Sequence, residues 1–363
     1  MGHTTLVSGA GPLKVGEGPV RTGVTVVLPR PHDQLEQPVF AAVHALNGVG
    51  ELTGAHYIAE TGAFIGPIAI TGTHNVGVVW DAISAWLFER RGMTVSLPVV
   101  GETLDGSLGG WRGLNDANGG HLKRAHVYAA LDSAATGRVE QGSVGGGTGM
   151  ICNGFKGGIG TASRRIQILE DTYSVGVLLQ CNYGIRPWLT IAGVPVGREL
   201  TTPAICFAGE PPEGAVVGRC EQAAEHPDDD LGSIIVVVAT DVPLLPHQLE
   251  RVARRVSLGL GRLGSASGEG SGDIFLAFTT AHSRGLDGAL HSISMLDDRG
   301  LNLVFGATVQ ATEEAVIDAM LLSPTMVGAD GLTVPGLPAG ELVEVLQRYG
   351  RINSQTNPQS SER

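Results

Sequence analysis

Cysteine, aromatic residues, clustered positive charge and long apolar runs are all scarce in this chain of 363 residues. Its four cysteines form no CxxC pair, so we expect reduced thiols rather than a disulfide framework. The net charge is −12 and no run of basic residues occurs, which argues against a nucleic-acid partner. No stretch approaches the roughly 18 apolar residues of a transmembrane helix. We therefore predict no membrane partner and a cytoplasmic location.

Motifs for metals and nucleotides are missing as well. None of the eleven histidines lies in an HExxH pattern, so no metal site is predicted. The glycine-rich segment 142–149 is similar to a phosphate-binding loop but lacks the closing Lys-Ser/Thr. We predict no cofactor. A tight glycine turn beside a substrate, offering backbone N–H groups, is the better interpretation.

Glycine is abundant, with 54 residues spread without a period, which indicates many tight turns. Short apolar runs alternate with helical patterns, and this order fits layered α/β and α+β folds equally well. Linkers are predicted over 209–230 and 264–272, and a disordered tail over 351–363. The patterns predict strands over 24–28, 175–180, 234–238, 273–280 and 301–309, and helices over 39–48, 79–91, 245–256 and from Thr312 onward.

An acidic segment, 228–230, leads through Gly232 and Ser233 into the fully apolar run 234–238. This arrangement places a serine hydroxyl at the first residue of a buried strand. If the Gly232–Ser233 bond were cut, the α-amine and hydroxyl of Ser233 would be base and nucleophile in one residue. A plain turn that leads into a core strand explains the same pattern, and the segment alone leaves both interpretations open.

Two further positions have the right chemistry for a substrate site. Glu102 and Asp105 follow an apolar run, and carboxylates there would bind a substrate ammonium group; a solvated acidic loop is the alternative. Asn182 follows the predicted strand 175–180, and its amide would donate to an oxyanion; a turn asparagine is the alternative.

Segment 232–247 closely resembles the autocleavage segment of the DmpA-type L-aminopeptidase/D-amidase-esterase family, which includes the β-peptidyl aminopeptidases. The resemblance covers about residues 2 to 340, in order. Its supporting segments are 20–25, 46–48, 73–77, 142–161, 182–184, 271–273 and 311–315.

The resemblance implies an α+β fold, a four-layer αββα sandwich of the N-terminal-nucleophile-hydrolase type shared by DmpA and ornithine acetyltransferase. It implies a precursor that cuts itself into a large chain, 1–232, and a small chain, 233–363, which form one intertwined domain. It further implies a homo-oligomer, with a tetramer as the favoured size. The substrates it implies are short peptides and amino-acid amides or esters.

The resemblance also implies the catalytic residues. Ser233 would attack first the Gly232 carbonyl and then the substrate, through an acyl-enzyme. Ser271 and Asp273 would hold or relay the proton of the Ser233 amine, and Asn182 would donate to the oxyanion.

On the substrate side, the resemblance implies that the glycine loop, through Gly145 or Gly146, supplies a second N–H to the oxyanion. Glu102 would clamp the ammonium group of the substrate. Aminopeptidase, amidase and esterase activities all follow from these roles.

Three departures from the family pattern affect these expectations. Met1 immediately precedes the motif at 2–5, so a strand is missing or the true start lies upstream. Residues 106–114 form an insertion that would reshape the substrate pocket. Asp273 stands where some members have glutamate. An acyltransferase of related fold and an uncleaved, non-catalytic relative that acts as a binding protein remain alternatives.

Overall fold

A computed structural model describes residues 1–106, 113–221, 232–282 and 292–353. The strands are β1 (Gly2–Ser8), β2 (Val20–Val27), β3 (Val39–Ala45), β4 (Ala63–Phe64), β5 (Ile68–Gly72), β6 (Val99–Thr103), β7 (Ile151–Cys152), β8 (Phe155–Lys156), β9 (Gly158–Ile168), β10 (Asp171–Asn182), β11 (Cys206–Phe207), β12 (Ser233–Thr240), β13 (Gly272–Thr279), β14 (Met326–Val327) and β15 (Leu332–Val334). The helices are α1 (Ala55–Thr61), α2 (Val76–Arg91), α3 (Arg124–Asp132), α4 (Val196–Glu199), α5 (Pro246–Ala253), α6 (Val256–Arg262), α7 (Leu301–Leu321) and α8 (Ala339–Arg348).

Two sheets pack face to face between two layers of helices. The first sheet has the order β1-β2-β5-β6, and the second has the order β4-β3-β13-β12-β10-β9. Helices α2 and α3 cover the outer face of the first sheet, and α5 and α7 cover the outer face of the second. The predicted four-layer αββα sandwich is confirmed.

Strand β12 is apolar on both faces because both are buried. Ile235 and Val237 pack between the two sheets, whereas Ile234, Val236 and Val238 pack against the helices. A strand that is buried on both faces is apolar throughout, whereas a half-exposed strand alternates apolar and polar residues. Its first residue, Ser233, is thereby held in the middle of the second sheet.

Most predicted elements are present, and α2 ends as expected at Gly92 in the left-handed conformation (φ 66°). Two predictions are wrong. The predicted helix at 39–48 is strand β3, and the predicted strand at 301–309 is the first half of α7. Thr312 lies inside that helix, where its hydroxyl donates to Thr308 O, so the helix predicted from Thr312 onward begins eleven residues earlier, at Leu301.

The prediction of reduced thiols is also wrong. Cys152 pairs with Cys181 and Cys206 with Cys220, with Cα–Cα distances of 5.6 and 4.8 Å. These distances lie within the range a disulfide can span. The expected cytoplasmic location therefore loses the support it drew from free thiols.

Some predictions fall on residues outside the described ranges. They concern the acidic run 228–230, the greater part of the insertion at 106–114, and the tail from 354 onward. Within the described ranges, no helix combines the length and apolar character needed to cross a membrane.

Candidate active site

Ser233 begins β12 between two neighbouring strands. Asn182 at the end of β10 is its antiparallel partner, and Gly272 at the start of β13 is its parallel partner. The side chain is 8% exposed. Register alone thus brings together residues that are far apart in the sequence.

One backbone N–H serves two oxygens at this point. The Gly272 N–H donates to the Gly232 carbonyl oxygen at 3.1 Å and to Ser233 Oγ at 3.2 Å. The hydroxyl oxygen and the carbonyl oxygen of the preceding residue therefore share one donor. Such a donor withdraws electron density from the carbonyl and makes its carbon more electrophilic.

Gly232 has no room for a side chain. A Cβ placed on it would lie 2.3 Å from Asn182 O and 2.8 Å from Tyr183 Cα. The backbone of residue 232 therefore approaches the end of β10 more closely than any other residue type allows.

Ser271 and Asp273 form a buried pair on either side of Gly272. Ser271 Oγ donates to Asp273 Oδ1 at 2.6 Å, and neither residue is exposed. Asp273 is the register partner of Ile234, one step along β12 from Ser233. The pair thus lies beside the backbone at the start of β12.

The Asn182 amide is held at both ends. Its Oδ1 accepts from the Ile151 N–H at 2.8 Å, and its Nδ2 donates to Leu104 O at 3.1 Å. An amide nitrogen carries two hydrogens, so one of them can serve another acceptor while the first fixes the orientation.

Glu102 reaches the same region from the first sheet. Its Oε1 accepts from the Glu51 N–H at 2.8 Å, and its Oε2 accepts from Thr73 Oγ1. A Cβ placed on Gly50 would lie 3.4 Å from Glu102 Oε1 and 3.2 Å from Gly272 Cα. The Glu102 carboxylate and Gly272, whose N–H bonds Ser233, therefore both lie next to Gly50.

Burial raises the pKa of Glu102, and the hydrogen bonds from Thr73 and Glu51 oppose that rise. Asp105, fully buried three residues later, also has a raised pKa because of burial, against the hydrogen bond from Thr22. Two carboxyl groups in one buried region make it a good environment for a cationic substrate group.

The glycine loop is placed differently from the other candidates. The Gly145 N–H donates to Thr5 Oγ1 at 2.8 Å, and the Gly146 N–H donates to Thr25 Oγ1 at 3.1 Å. These donors therefore point to threonines of the first sheet. A substrate contact for Gly145 and Gly146 stays a prediction.

Sequence reasoning missed two residues at this site, Thr73 and Gly272. Both lie inside segments that carry the resemblance, but no pattern marked their individual contacts.

Comparisons with known proteins agree with this geometry. The model of peptidase family S58 matches residues 1–334. β-Peptidyl aminopeptidase BapA of Sphingosinicella microcystinivorans is 46% identical over 357 residues, which are 97% of this chain and 86% of the relative.

Two solved structures match over 97% of this chain and 92% of their own, each at 40% identity. One is L-aminopeptidase D-Ala-esterase/amidase of Ochrobactrum anthropi, described as a prototype for the serine aminopeptidases and a new variant among the Ntn-hydrolase fold (TM-score 0.84). The other is the β-aminopeptidase of Burkholderia sp. (TM-score 0.82). The chain therefore belongs to peptidase family S58 and is an aminopeptidase with the N-terminal-nucleophile hydrolase fold.

Proposed function

We propose that the chain cuts itself between Gly232 and Ser233, and that Ser233 is then the nucleophile of the aminopeptidase. The observation that carries this proposal is the shared donor, because the Gly272 N–H bonds both the Gly232 carbonyl oxygen and Ser233 Oγ. The attacking oxygen and the attacked carbonyl are therefore held together before any reaction.

In the first reaction, Ser233 Oγ bonds to the Gly232 carbonyl carbon while the oxyanion is stabilised by the Gly272 N–H. The peptide C–N bond breaks, the hydroxyl proton passes to the departing nitrogen, and an ester remains. Water then opens the ester and releases the Gly232 carboxylate. The products are chains 1–232 and 233–363, which stay in one sandwich.

In the second reaction, the free amine of Ser233 is the base. An α-amine has an ordinary pKa of about 8, so a substantial unprotonated fraction exists near neutral pH. As Ser233 Oγ bonds to the substrate carbonyl carbon, the amine takes the hydroxyl proton, and the Ser271–Asp273 pair stabilises the protonated amine. That proton passes to the departing nitrogen or oxygen of the substrate when its bond to the carbonyl carbon breaks, and water then opens the acyl-enzyme. Asn182 donates to the oxyanion of the substrate carbonyl, and such a donor commonly contributes about 10²- to 10³-fold to kcat.

Glu102 binds the ammonium group of the substrate and thereby selects free N-termini. The substrates are short peptides, amino-acid amides and esters. The names of the BapA and Burkholderia relatives support including substrates with an N-terminal β-amino acid. A homo-oligomer remains part of the proposal. A cytoplasmic location remains a prediction, and the two disulfides weigh against it.

Denaturing electrophoresis and intact mass test the first reaction. Wild-type protein should give two fragments that meet at 232/233, and Ser233→Ala should stay as one chain. A wild-type chain that stays whole after prolonged incubation would refute self-processing and would favour the uncleaved binding protein.

Release of p-nitroaniline tests the second reaction. An unblocked aminoacyl anilide should be hydrolysed, and its N-acetylated form should not. Equal rates on the two substrates would remove the proposed role of Glu102. Product analysis with an added amine as acceptor distinguishes hydrolysis from acyl transfer.

A further inference from the structure

Lys156 is a buried lysine with no role in the steps above. It lies in the short hairpin β7–β8 and is 0% exposed. Its Nζ donates to the carbonyl oxygens of Met150 at 2.9 Å, Gly157 at 2.6 Å and Gly147 at 3.3 Å. Among the ion pairs of the described ranges, none includes this ammonium group.

One peptide unit joins this lysine to the proposed oxyanion donor. The carbonyl of the Met150–Ile151 peptide accepts from Lys156 Nζ, and the N–H of the same peptide donates to Asn182 Oδ1 at 2.8 Å. The cation polarises this peptide and makes its N–H a better donor, because hydrogen bonds in series strengthen one another. Lys156 and Asn182 are therefore the two ends of one hydrogen-bonded chain.

A buried ammonium group is expensive to keep for packing alone. Burial lowers the pKa of Lys156 from 10.5 to about 7, whereas the three carbonyl acceptors favour the charged form. The Gly157 N–H already donates to Met150 O at 2.9 Å, so the turn is closed without the lysine. The ammonium group adds positive charge beside three peptides, and one of them, the Met150–Ile151 peptide, bonds Asn182.

We infer that Lys156 is a positioning residue for the aminopeptidase reaction, because its ammonium group fixes the Met150–Ile151 peptide that orients the Asn182 amide. The inference rests on the proposed oxyanion role of Asn182. Lys156 acts on Asn182 through the Met150–Ile151 peptide and contacts no substrate atom.

A double-mutant cycle tests the inference on the self-cleaved enzyme. Lys156→Met, Asn182→Ala and the double variant are compared by kcat and KM per cleaved chain, with the cleaved fraction taken from intact mass. Lys14→Met is the matched control, because Lys14 is exposed and its ammonium group pairs with Glu17 at the surface. We expect Lys156→Met to lower kcat about 10- to 100-fold with KM unchanged. The double variant should be no slower than Asn182→Ala, whereas Lys14→Met should match wild type.

Each outcome bears on one part of the argument. Wild-type kcat in Asn182→Ala would refute the oxyanion role itself. Losses that multiply in the double variant would refute the coupling of Lys156 to Asn182 and leave the role of Asn182 intact. An unchanged kcat in Lys156→Met would refute the inference directly.

A second route does not require self-cleavage or a fully stable Lys156→Met variant. Lys156→Gln keeps a donor but loses the charge, and it replaces Lys156→Met in the cycle if the latter does not fold. Crystal structures of Ser233→Ala with and without Lys156→Gln should differ at the Asn182 amide. An amide in the same place with the same Ile151 N–H bond would overturn the inference.

Discussion

Gly232→Ala should separate the proposed self-cleavage from peptidase activity. A Cβ at residue 232 would lie 2.3 Å from Asn182 O, and ordinary contact begins at 3.4 Å, so the backbone must move by about 1 Å. That movement displaces the Gly232 carbonyl from the Gly272 N–H and from Ser233 Oγ. A misplacement of about 1 Å lowers rates about 10²-fold, or about 2.7 kcal/mol of barrier. We expect cleavage to slow by that factor.

The assay is a time course of intact mass from freshly purified precursor. Gly209→Ala is the matched control, because a Cβ there meets nothing within 4 Å. Once cleaved, Gly232→Ala should turn over an aminoacyl anilide with wild-type kcat, because residue 232 then ends the large chain and takes no part in the reaction. Cleavage of Gly232→Ala at the wild-type rate would refute the geometric argument, and a lost kcat after full cleavage would refute the separation of the two reactions.

Three further perturbations test other parts of the site and the fold. Glu102→Gln should raise KM for an unblocked anilide about 30-fold, or ~2 kcal/mol. In wild type, kcat/KM should fall with decreasing pH in two steps. The first follows protonation of the Ser233 amine, whose ordinary pKa is about 8, and the second follows protonation of Glu102, whose pKa burial raises above the ordinary value of 4.5. Glu102→Gln should lose only the second step, and a second step that persists in this variant would contradict its assignment to Glu102. Asp273→Asn should lower kcat about 10²-fold at unchanged KM, measured per Ser233 amino terminus; a near-wild-type kcat would exclude proton transfer at this pair. Replacing Cys206 and Cys220 by serine should lower the free energy of unfolding by about 3 kcal/mol in urea titrations, and no change would mean that the bond contributes nothing.

The local errors of the sequence analysis have a common physical origin. In β3, Val39 and Val43 are spaced as on a helix, but Phe40 and Ala41 between them are buried as well. In α7, the buried residues Leu301, Val304 and Phe305 have a helical spacing, but the exposed Leu303 lies between them. Where apolar residues also occupy positions outside the regular spacing, periodicity no longer distinguishes helix from strand.

At the site, the Gly232–Ser233 step could be predicted from local sequence, but its partners could not. The Gly232–Ser233 step stands out because an apolar strand follows it directly, and its chemistry can be read from residue types. The convergence of Asn182 and Gly272 on Ser233 follows from strand register, which local patterns do not encode. Family resemblance supplied Asn182, whereas the contact of Gly272 was missed. The pairing of Cys152 with Cys181 likewise depends on the hairpin β7–β8 folding back on β10.

The central position of β12 has a consequence for how the protein survives stress. A cut before Ser233 would create a chain end in the middle of a six-stranded sheet, held by β10 on one side and β13 on the other. An uncut chain would close this sheet within one molecule, so that step would not depend on concentration. The cut protein would have to bring two chains together again before the sheet could close, and its recovery would depend on concentration. After the cut, unfolding would be hard to reverse, and the lifetime of the active protein would be set by its rate of unfolding.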